Sequence, residues 1–406
     1  MTEKKKKKVL ISGAGIAGIL CAILLNKKKY EIEIIEQSPY FRNLGFSVVL
    51  WKSGFELLIS ILYDEGVYLK EEEDYFKISG FKLFSGSNLK KIKHLDSDNY
   101  AWVFEREHLM NILETVLFKN LKKNNLIFST TIDNIKFDDD NNIPCSLVKF
   151  HNKSLNEKRY DMVIIAEGIN SSTRQILFPN EKAKFFPYNL KYEWFIEKTN
   201  LNKDGGLLFT KGALGVIHPP FFKNLLGFYF KKGHQRISNE FENEVLKIVK
   251  LNNSSDKGVD TQHSKIFELK KVYLRKHYYK NVVLIGDAAH GQPPTLGFGT
   301  SLAIEDSVQL SRFLNEIKED DFANNLQNTL NEYQEKRSKR IKNVYDFQNL
   351  IHLFLTDNFM MVKFLSFLLK LFLGKYIEKK VKKLSVYEIK PVSIEYLQNQ
   401  LHRMAR

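Results

Sequence analysis

The sequence holds only two cysteines in 406 residues, Cys21 and Cys145. Cys21 falls on the apolar side of an expected helix, so no disulfide is expected and a reducing compartment fits. His218, His234 and His277 are scattered, and no Cys or His cluster has metal-ligand spacing, so no metal is expected. Uninterrupted apolar runs of about 18 residues, the length a membrane crossing needs, are lacking. Lys4 to Lys8 lead directly into an apolar stretch that reaches a glycine turn before an apolar core of roughly 7–15 residues can form. A secretory leader is therefore not expected, and the cytoplasm is the expected location. Acids are outnumbered, 47 against 62 bases, for a formal charge of +15. The lysines are spread along every segment without a nucleic-acid motif, so no nucleic-acid partner is expected.

What is present begins at Val9. The run Val9-Leu10-Ile11-Ser12 feeds Gly13-Ala14-Gly15-Ile16-Ala17-Gly18 and then an apolar, helix-compatible stretch to Leu25. The spacing predicts strand, tight turn and helix. Gly13 permits the turn, Gly15 lets a pyrophosphate approach the backbone, and Gly18 lets the helix pack on the strand; Ala17, inside the motif, joins the same candidate set. A second strand, Glu31 to Ile35, ends in Glu36, about 20 residues beyond the glycines, where a carboxylate can accept both hydroxyls of an unphosphorylated ribose. This pattern alone does not separate NAD from FAD.

Three further motifs follow: Phe104-Glu105-Arg106-Glu107-His108-Leu109, the run from Tyr160 to Arg174 containing Glu167-Gly168, and Val282 to His290 with Gly286-Asp287, trailed by Pro293, Pro294, Gly297, Gly299 and Thr300. In this order, across residues 9 to about 340, the chain resembles the group A FAD-dependent monooxygenases, the single-component aromatic hydroxylases that include para-hydroxybenzoate hydroxylase and the tetracycline-modifying monooxygenases. The resemblance implies FAD as cofactor. It implies Arg106 beside the flavin's ribityl and pyrophosphate region and Asp287 on a ribitol hydroxyl. It also implies Pro294, Gly297, Gly299 and Thr300 around the isoalloxazine, where helix N-terminal amides can stabilise charge on the reduced ring. Arg42 and Gly45 look like the loop leading from Glu36 towards the flavin, with Arg42 a flavin neighbour or a solvated loop residue. Glu167 departs from the family, whose aspartate at that position helps couple flavin and nicotinamide donor. Glu305 and Asp306 read as structural acids and His290 as structural, lacking a titratable partner at readable spacing. No catalytic side chain is assigned.

The expected fold class is α/β: a Rossmann-like FAD-binding domain with a parallel sheet and helices, a mixed or antiparallel substrate sheet, and a C-terminal helix. Residues 1–185 and 275–345 would form the composite FAD domain, with part of 46–105 on the substrate side, 186–274 the substrate sheet and 346–406 a helical segment. Trp194-Phe195-Ile196, Gly206 to Phe209 and Leu225 to Phe230 read as strands of that sheet, with Phe209, Phe228 and Phe230 facing substrate or core. A helix is predicted over Tyr333 to Arg340. From Leu353 to Gly374, apolar residues recur at helical spacing, interrupted by Lys363 and Lys370. Two readings stand: the helix packs along both domains, which is preferred, or it lies on a membrane surface aided by Lys379, Lys380, Lys382 and Lys383.

The resemblance implies an enzyme that uses NADPH or NADH and O2 to hydroxylate a small aromatic or polycyclic substrate through a flavin C4a-hydroperoxide. The alternative is an FAD-dependent reductase of a polyprenyl or other lipid-like alkene, and a third reading is a non-enzymatic binding protein. Substrate identity and oligomeric state are not written in the motifs.

Overall fold

A computed structural model describes residues 5–41, 47–85, 90–96, 100–138, 145–195, 204–210, 213–217, 224–231, 264–318, 321–353, 358–387 and 389. The first strand, β1 (Lys7–Ser12), leads through α1 (Ile16–Leu24) to β2 (Tyr30–Ile35). Next come β3 (Ser47–Trp51), α2 (Lys52–Asp64), β4 (Phe76–Lys77), β5 (Gly80–Ser85), β6 (Lys90–Asp96), β7 (Ala101–Glu105) and α3 (Arg106–Asn120). The middle of the chain supplies β8 (Leu126–Ile127), β9 (Ile132–Asp138), β10 (Cys145–Phe150), β11 (Lys158–Tyr160), β12 (Met162–Ile165) and α4 (Ser172–Leu177). Long strands follow: β13 (Lys184–Phe195), β14 (Asp204–Thr210), β15 (Ala213–Ile217), β16 (Asn224–Lys231) and β17 (Ser264–Lys271). The last strands are β18 (Tyr278–Tyr279) and β19 (Val282–Leu284). Helices close the chain: the one-turn α5 (Asp287–His290), α6 (Phe298–Glu316), α7 (Phe322–His352), α8 (Phe359–Leu368) and α9 (Gly374–Ser385).

Six strands form a sheet in the order β18-β19-β12-β1-β2-β8, parallel except for the edge strand β18. Its central strands read as unbroken apolar runs because both faces are covered. Val9 to Ser12, Met162 to Ile165 and Val282 to Leu284 are all buried. Helix α1 is buried from Ile16 to Ile23, so it lies between the sheet and other helices rather than at the surface. One core cluster joins α1, α3 and α6, and another lies between this sheet and the antiparallel β9-β10-β11 sheet.

The second large sheet has seven strands in the order β17-β13-β16-β15-β14-β5-β6. The strands expected at 194–195, 206–209 and 225–230 belong to it, with Ile196 and the side chains of Phe209, Phe228 and Phe230 outside the described part of the structure. Strands β5 and β6 extend it from the other half of the chain, with β5 parallel to β14. The helix expected over Tyr333 to Arg340 is the middle of the 31-residue α7. At 1.5 Å per residue α7 spans roughly 46 Å.

The C-terminal segment differs from the continuous helix predicted over 353–374. Helix α7 ends at His352 and the described chain resumes at Asn358, whose side chain accepts from the amides of Met360 (3.0 Å) and Met361 (3.2 Å) and so starts a new helix. A π turn at Leu369–Leu373 then joins α8 to α9.

Candidate active site

The carboxyl ends of β1, β2 and β12 converge, the place where open parallel sheets bind ligands. The Gly13 amide donates to Ile35 O (2.8 Å), and the Ala166 amide to Ser12 O (2.7 Å). Gly13 has φ +106°, and a Cβ there would stand 2.4 Å from the Ala166 carbonyl oxygen. A Cβ on Gly18 would stand 2.0 Å from the Gly13 carbonyl oxygen, whereas one on Gly15 would meet nothing within 4 Å. Gly13 and Gly18 are thus demanded by packing, whereas Gly15 leaves open space at the start of α1. The Glu36 carboxylate is held at the mouth by the amides of Ala14 and Ser38, each 2.9 Å away. A cleft of 220 Å³ runs over these residues, with Arg106 and Glu167 in its walls.

Asp287 and Arg106 face one another electrostatically from opposite sides of the chain. Arg106 opens α3, and its Nε is buried without a hydrogen-bond partner among the described residues. Burial lowers the guanidinium's pKa and Asp287 opposes that shift. Asp287 is reachable by solvent, yet protein atoms crowd round it; that crowding raises its carboxyl above the usual range against the pull of His290 and Arg106. A Cβ on Gly299 would lie 3.7 Å from Asp287 Oδ1, and one on Gly286 would lie 3.5 Å from the methyls of Ala17 and Ala303. Ala17, Arg106, Asp287 and Gly299 are therefore brought together. An unsatisfied guanidinium nitrogen beside an open glycine turn in one cleft, with an accessible carboxylate interacting with that guanidinium, fits the phosphates and hydroxyls of a flavin dinucleotide.

The loop from Pro293 to Thr300 is pinned by residues that no motif marks. Gly297, in the left-handed region at φ +66°, caps α6, and a Cβ there would press on Val49 at 3.0 Å. Trp51 donates from Nε1 to Leu296 O (2.9 Å) and stacks on Phe298 with ring centres 4.8 Å apart. Its amide donates to Ser301 Oγ (3.0 Å). From α7, Gln348 donates to the Pro293 carbonyl, and His352 Nε2 lies 3.0 Å from Thr295 Oγ1. Burial, with Lys271 nearby, presses His352 down to about 4. Pro294 starts the 3₁₀ turn of this loop, and Gly299 and Thr300 lie in the first turn of α6, where amides lack intrahelical partners.

Beneath the Gly286 turn sits a buried charge cluster. Asp306 accepts from the Gly286 amide (2.8 Å) and Arg337 Nε (2.7 Å), and lies 2.6 Å from His290 Nε2. Glu305 accepts from Arg337, Arg340 and Ser53. Burial would raise Asp306, but His290 and Arg337 hold it well below the carboxylate range. His290 thus has a titratable partner that no sequence spacing marks, because folding places α6 against the turn. The rings of His277 and His290 are 6.3 Å apart, and burial, then His290, presses His277 down to about 4.

Glu167 spends both carboxylate oxygens on the protein. Oε1 accepts from Ser12 and Thr173 hydroxyls, and Oε2 from the Ser171 hydroxyl, each at 2.6 Å, with the Thr173 amide at 3.1 Å. Arg174, fully buried, donates to Ala288 O (3.1 Å) and Ile169 O (2.8 Å), tying this turn to the Asp287 turn. Arg42 and Gly45 lie outside the described residues.

A larger hollow of 670 Å³ lies at the amino ends of the same strands, away from these motifs. Lys158 pairs there with Glu33 and Arg159 with Asp138, both at 2.7 Å, and neither the opening glycines nor Arg106 lines it, so the smaller cleft is the site that fits the chemistry.

Residues 221–348 match the model of an FAD binding domain, a span that includes Asp287 but not the opening glycines. The chain is 24% identical to the FAD-dependent monooxygenase atnA of Arthrinium sp, over 88% of this chain and 52% of that protein. It is 21% identical to the 6-hydroxynicotinate 3-monooxygenase of Bordetella bronchiseptica, over 84% and 90% respectively. The chain is thus similar to FAD-dependent monooxygenases. The fold is similar to that of HpxO from Klebsiella pneumoniae, solved with FAD and uric acid, at TM-score 0.73 and 15% identity over 93% of this chain and 96% of that one. The chain spans about half the length of the Arthrinium protein it matches. Among its described residues, no group of three or more His, Cys, Asp or Glu could hold a metal, and no helix is long and apolar enough to cross a membrane.

Proposed function

We propose that the chain is a monooxygenase that uses NADPH or NADH and O2 to hydroxylate a small, flat aromatic or polycyclic substrate. The observation that carries this reading is that Arg106 lines one cleft with Glu36 and the open turn at Gly15 and at the same time interacts with Asp287, so that distant parts of the chain meet around it. FAD, when bound, supplies the redox chemistry, accepting reducing equivalents from the nicotinamide and activating O2.

On this reading, Glu36 accepts the ribose hydroxyls and the first amides of α1, beside Gly15, face the pyrophosphate. Arg106 holds the phosphate and ribityl region, and Asp287 accepts from a ribitol hydroxyl. Pro294 and Gly297 shape the surroundings of the ring, while the first-turn amides of α6, around Gly299 and Thr300, stabilise negative charge there. Glu167, saturated by its four donors, braces the turn rather than meeting the nicotinamide donor. Residues 1–185 and 275–345 form the FAD-binding part and 186–274, with part of 46–105, the substrate side. The substrate class draws support from the relatives, one named for 6-hydroxynicotinate and one solved with uric acid, both flat heteroaromatic rings. The lipid-alkene reductase alternative has no comparable support.

The test is to mix the purified, FAD-loaded protein with NADPH, and separately NADH, without oxygen, and to follow flavin absorbance. Bleaching by either donor, followed by oxygen uptake on readmission of air in the presence of substrate, is the expected outcome. A flavin that stays oxidised with both donors and with candidate aromatic substrates present would sink the reading.

A further inference from the structure

Helices α8 and α9 and the π turn between them form one arm with two apolar sides. The inner side packs: Leu369, Ile377 and Leu384 are buried in a core cluster with the partly buried Leu365 and Leu373 against it. The arm rests on β14 and β6 of the seven-stranded sheet. The outer side carries Met360, Phe364, Phe367 and Leu371, exposed by 70%, 55%, 58% and 54%. Met360, Phe364 and Phe367, spaced by four and three residues on α8, fall in a stripe about 60° wide at 3.6 residues per turn, and Leu371 in the π turn adds a further exposed apolar side chain. A helix whose core-facing stripe is already buried has no folding reason for a second one, and a contiguous exposed apolar patch marks a contact surface.

Charge selects the occupant. Residues 359–385 contain seven lysines and one acid, Glu378, which pairs with Lys382 at 3.4 Å. Lys370 and Lys375, both exposed, adjoin the stripe, and Lys379 and Lys383 are exposed further along α9. A second copy of the chain related by a two-fold axis would set this basic face against itself. A crossing helix does not suit the arm, since no described helix is long and apolar enough. A surface that is apolar just below a layer of negative phosphates meets both requirements.

We propose that the outer face of the α8–α9 arm docks on an anionic lipid bilayer, with Met360, Phe364, Phe367 and Leu371 in the acyl boundary and the lysines on the phosphate headgroups. The docking is peripheral and stands independently of the oxygenation reading. The inner face of the arm is packed on the protein, so the docking concerns the outer face alone.

The experiment is co-sedimentation of the full-length, FAD-loaded protein with vesicles of phosphatidylcholine alone and of phosphatidylcholine mixed with phosphatidylglycerol. Binding to the anionic vesicles is expected to be tighter by roughly tenfold or more and to weaken with added salt, given the pull of several lysines on a charged leaflet. The double variant Phe364→Ser, Phe367→Ser is expected to lose vesicle binding while keeping wild-type flavin content and thermal unfolding. Lys370→Gln with Lys375→Gln is expected to weaken the anionic binding alone. Absence of binding to either vesicle, equal binding to both, or a dimer in sedimentation velocity that the double serine variant dissolves would overturn the proposal.

Discussion

Gly13 and Gly15 stand two residues apart and answer to different constraints. At Gly13 the positive φ and the Ala166 carbonyl 2.4 Å from a would-be Cβ act on the protein itself. Gly13→Ala is expected to lower the stability of the flavin-free protein by roughly 3 kcal/mol or more, read by urea unfolding, because strain and a backbone clash add. At Gly15 a Cβ meets open space, so Gly15→Ala should leave flavin-free unfolding unchanged and cut flavin retention by roughly tenfold or more. Equal flavin content in Gly15→Ala and wild type would remove Gly15 from the site. Glu167 offers a third residue-scale test. Glu167→Asp restores the family's residue but cannot span Ser12, Ser171 and Thr173 together, and the lost hydrogen bonds should cost about 1–3 kcal/mol in the same assay. The glycine motif was legible in sequence because its turn is local. The His290–Asp306 pair was not, because the partners lie 16 residues apart on separate helices and meet only by packing.

Helices α6 and α7 are joined by charge rather than by apolar contact alone. Glu305 and Asp306 on α6 and Arg337 and Arg340 on α7 are all buried, and the Gly286 amide hangs from Asp306. Breaking one member of such a cluster leaves the others uncompensated, so Arg337→Met should destabilise by roughly 3–5 kcal/mol and loosen the Asp287 turn, lowering flavin content. A loss below about 1 kcal/mol in denaturant unfolding would mean that solvent or rearrangement replaces the arginine. Periodicity marked α7 only over its middle, and the acids on α6 only as structural. Neither pattern could reveal that the two helices share one cluster, because charge partners on different helices leave no spacing signal.

Across the whole molecule, the buried histidines dictate an acid limit. His277 and His352 are both pressed down to about 4, His277 among His290, Asp306 and Arg337. Each is neutral in the fold and takes up a proton on unfolding below its ordinary value of about 6.5. The unfolded chain therefore binds more protons between about pH 6.5 and pH 4, so stability is full above that window and falls as pH drops through it. A shift of this size at His277 corresponds to roughly 3 kcal/mol. Urea midpoints should fall steadily from pH 7 to pH 4, and His352→Gln should flatten part of the slope. A profile level down to pH 4.5 would contradict the buried, neutral state of both rings.

The sequence by itself determined the parallel sheet, the glycine turn, Glu36 at its rim and the Gly286-Asp287 segment, because each depends on neighbours within a few residues or on a strand's own apolar run. It also determined the seven-stranded sheet's main segments through their alternation with turn residues. Only the tertiary structure decided that Arg106 faces Asp287, that Trp51, Gln348 and His352 pin the Pro293–Thr300 loop, and that Glu167 is consumed by its own turn. Those arrangements depend on long-range packing, and no local period encodes them. The same holds for the C-terminal arm: helical spacing announced its apolar residues, but which of them the protein covers was settled by the sheet against which it lies.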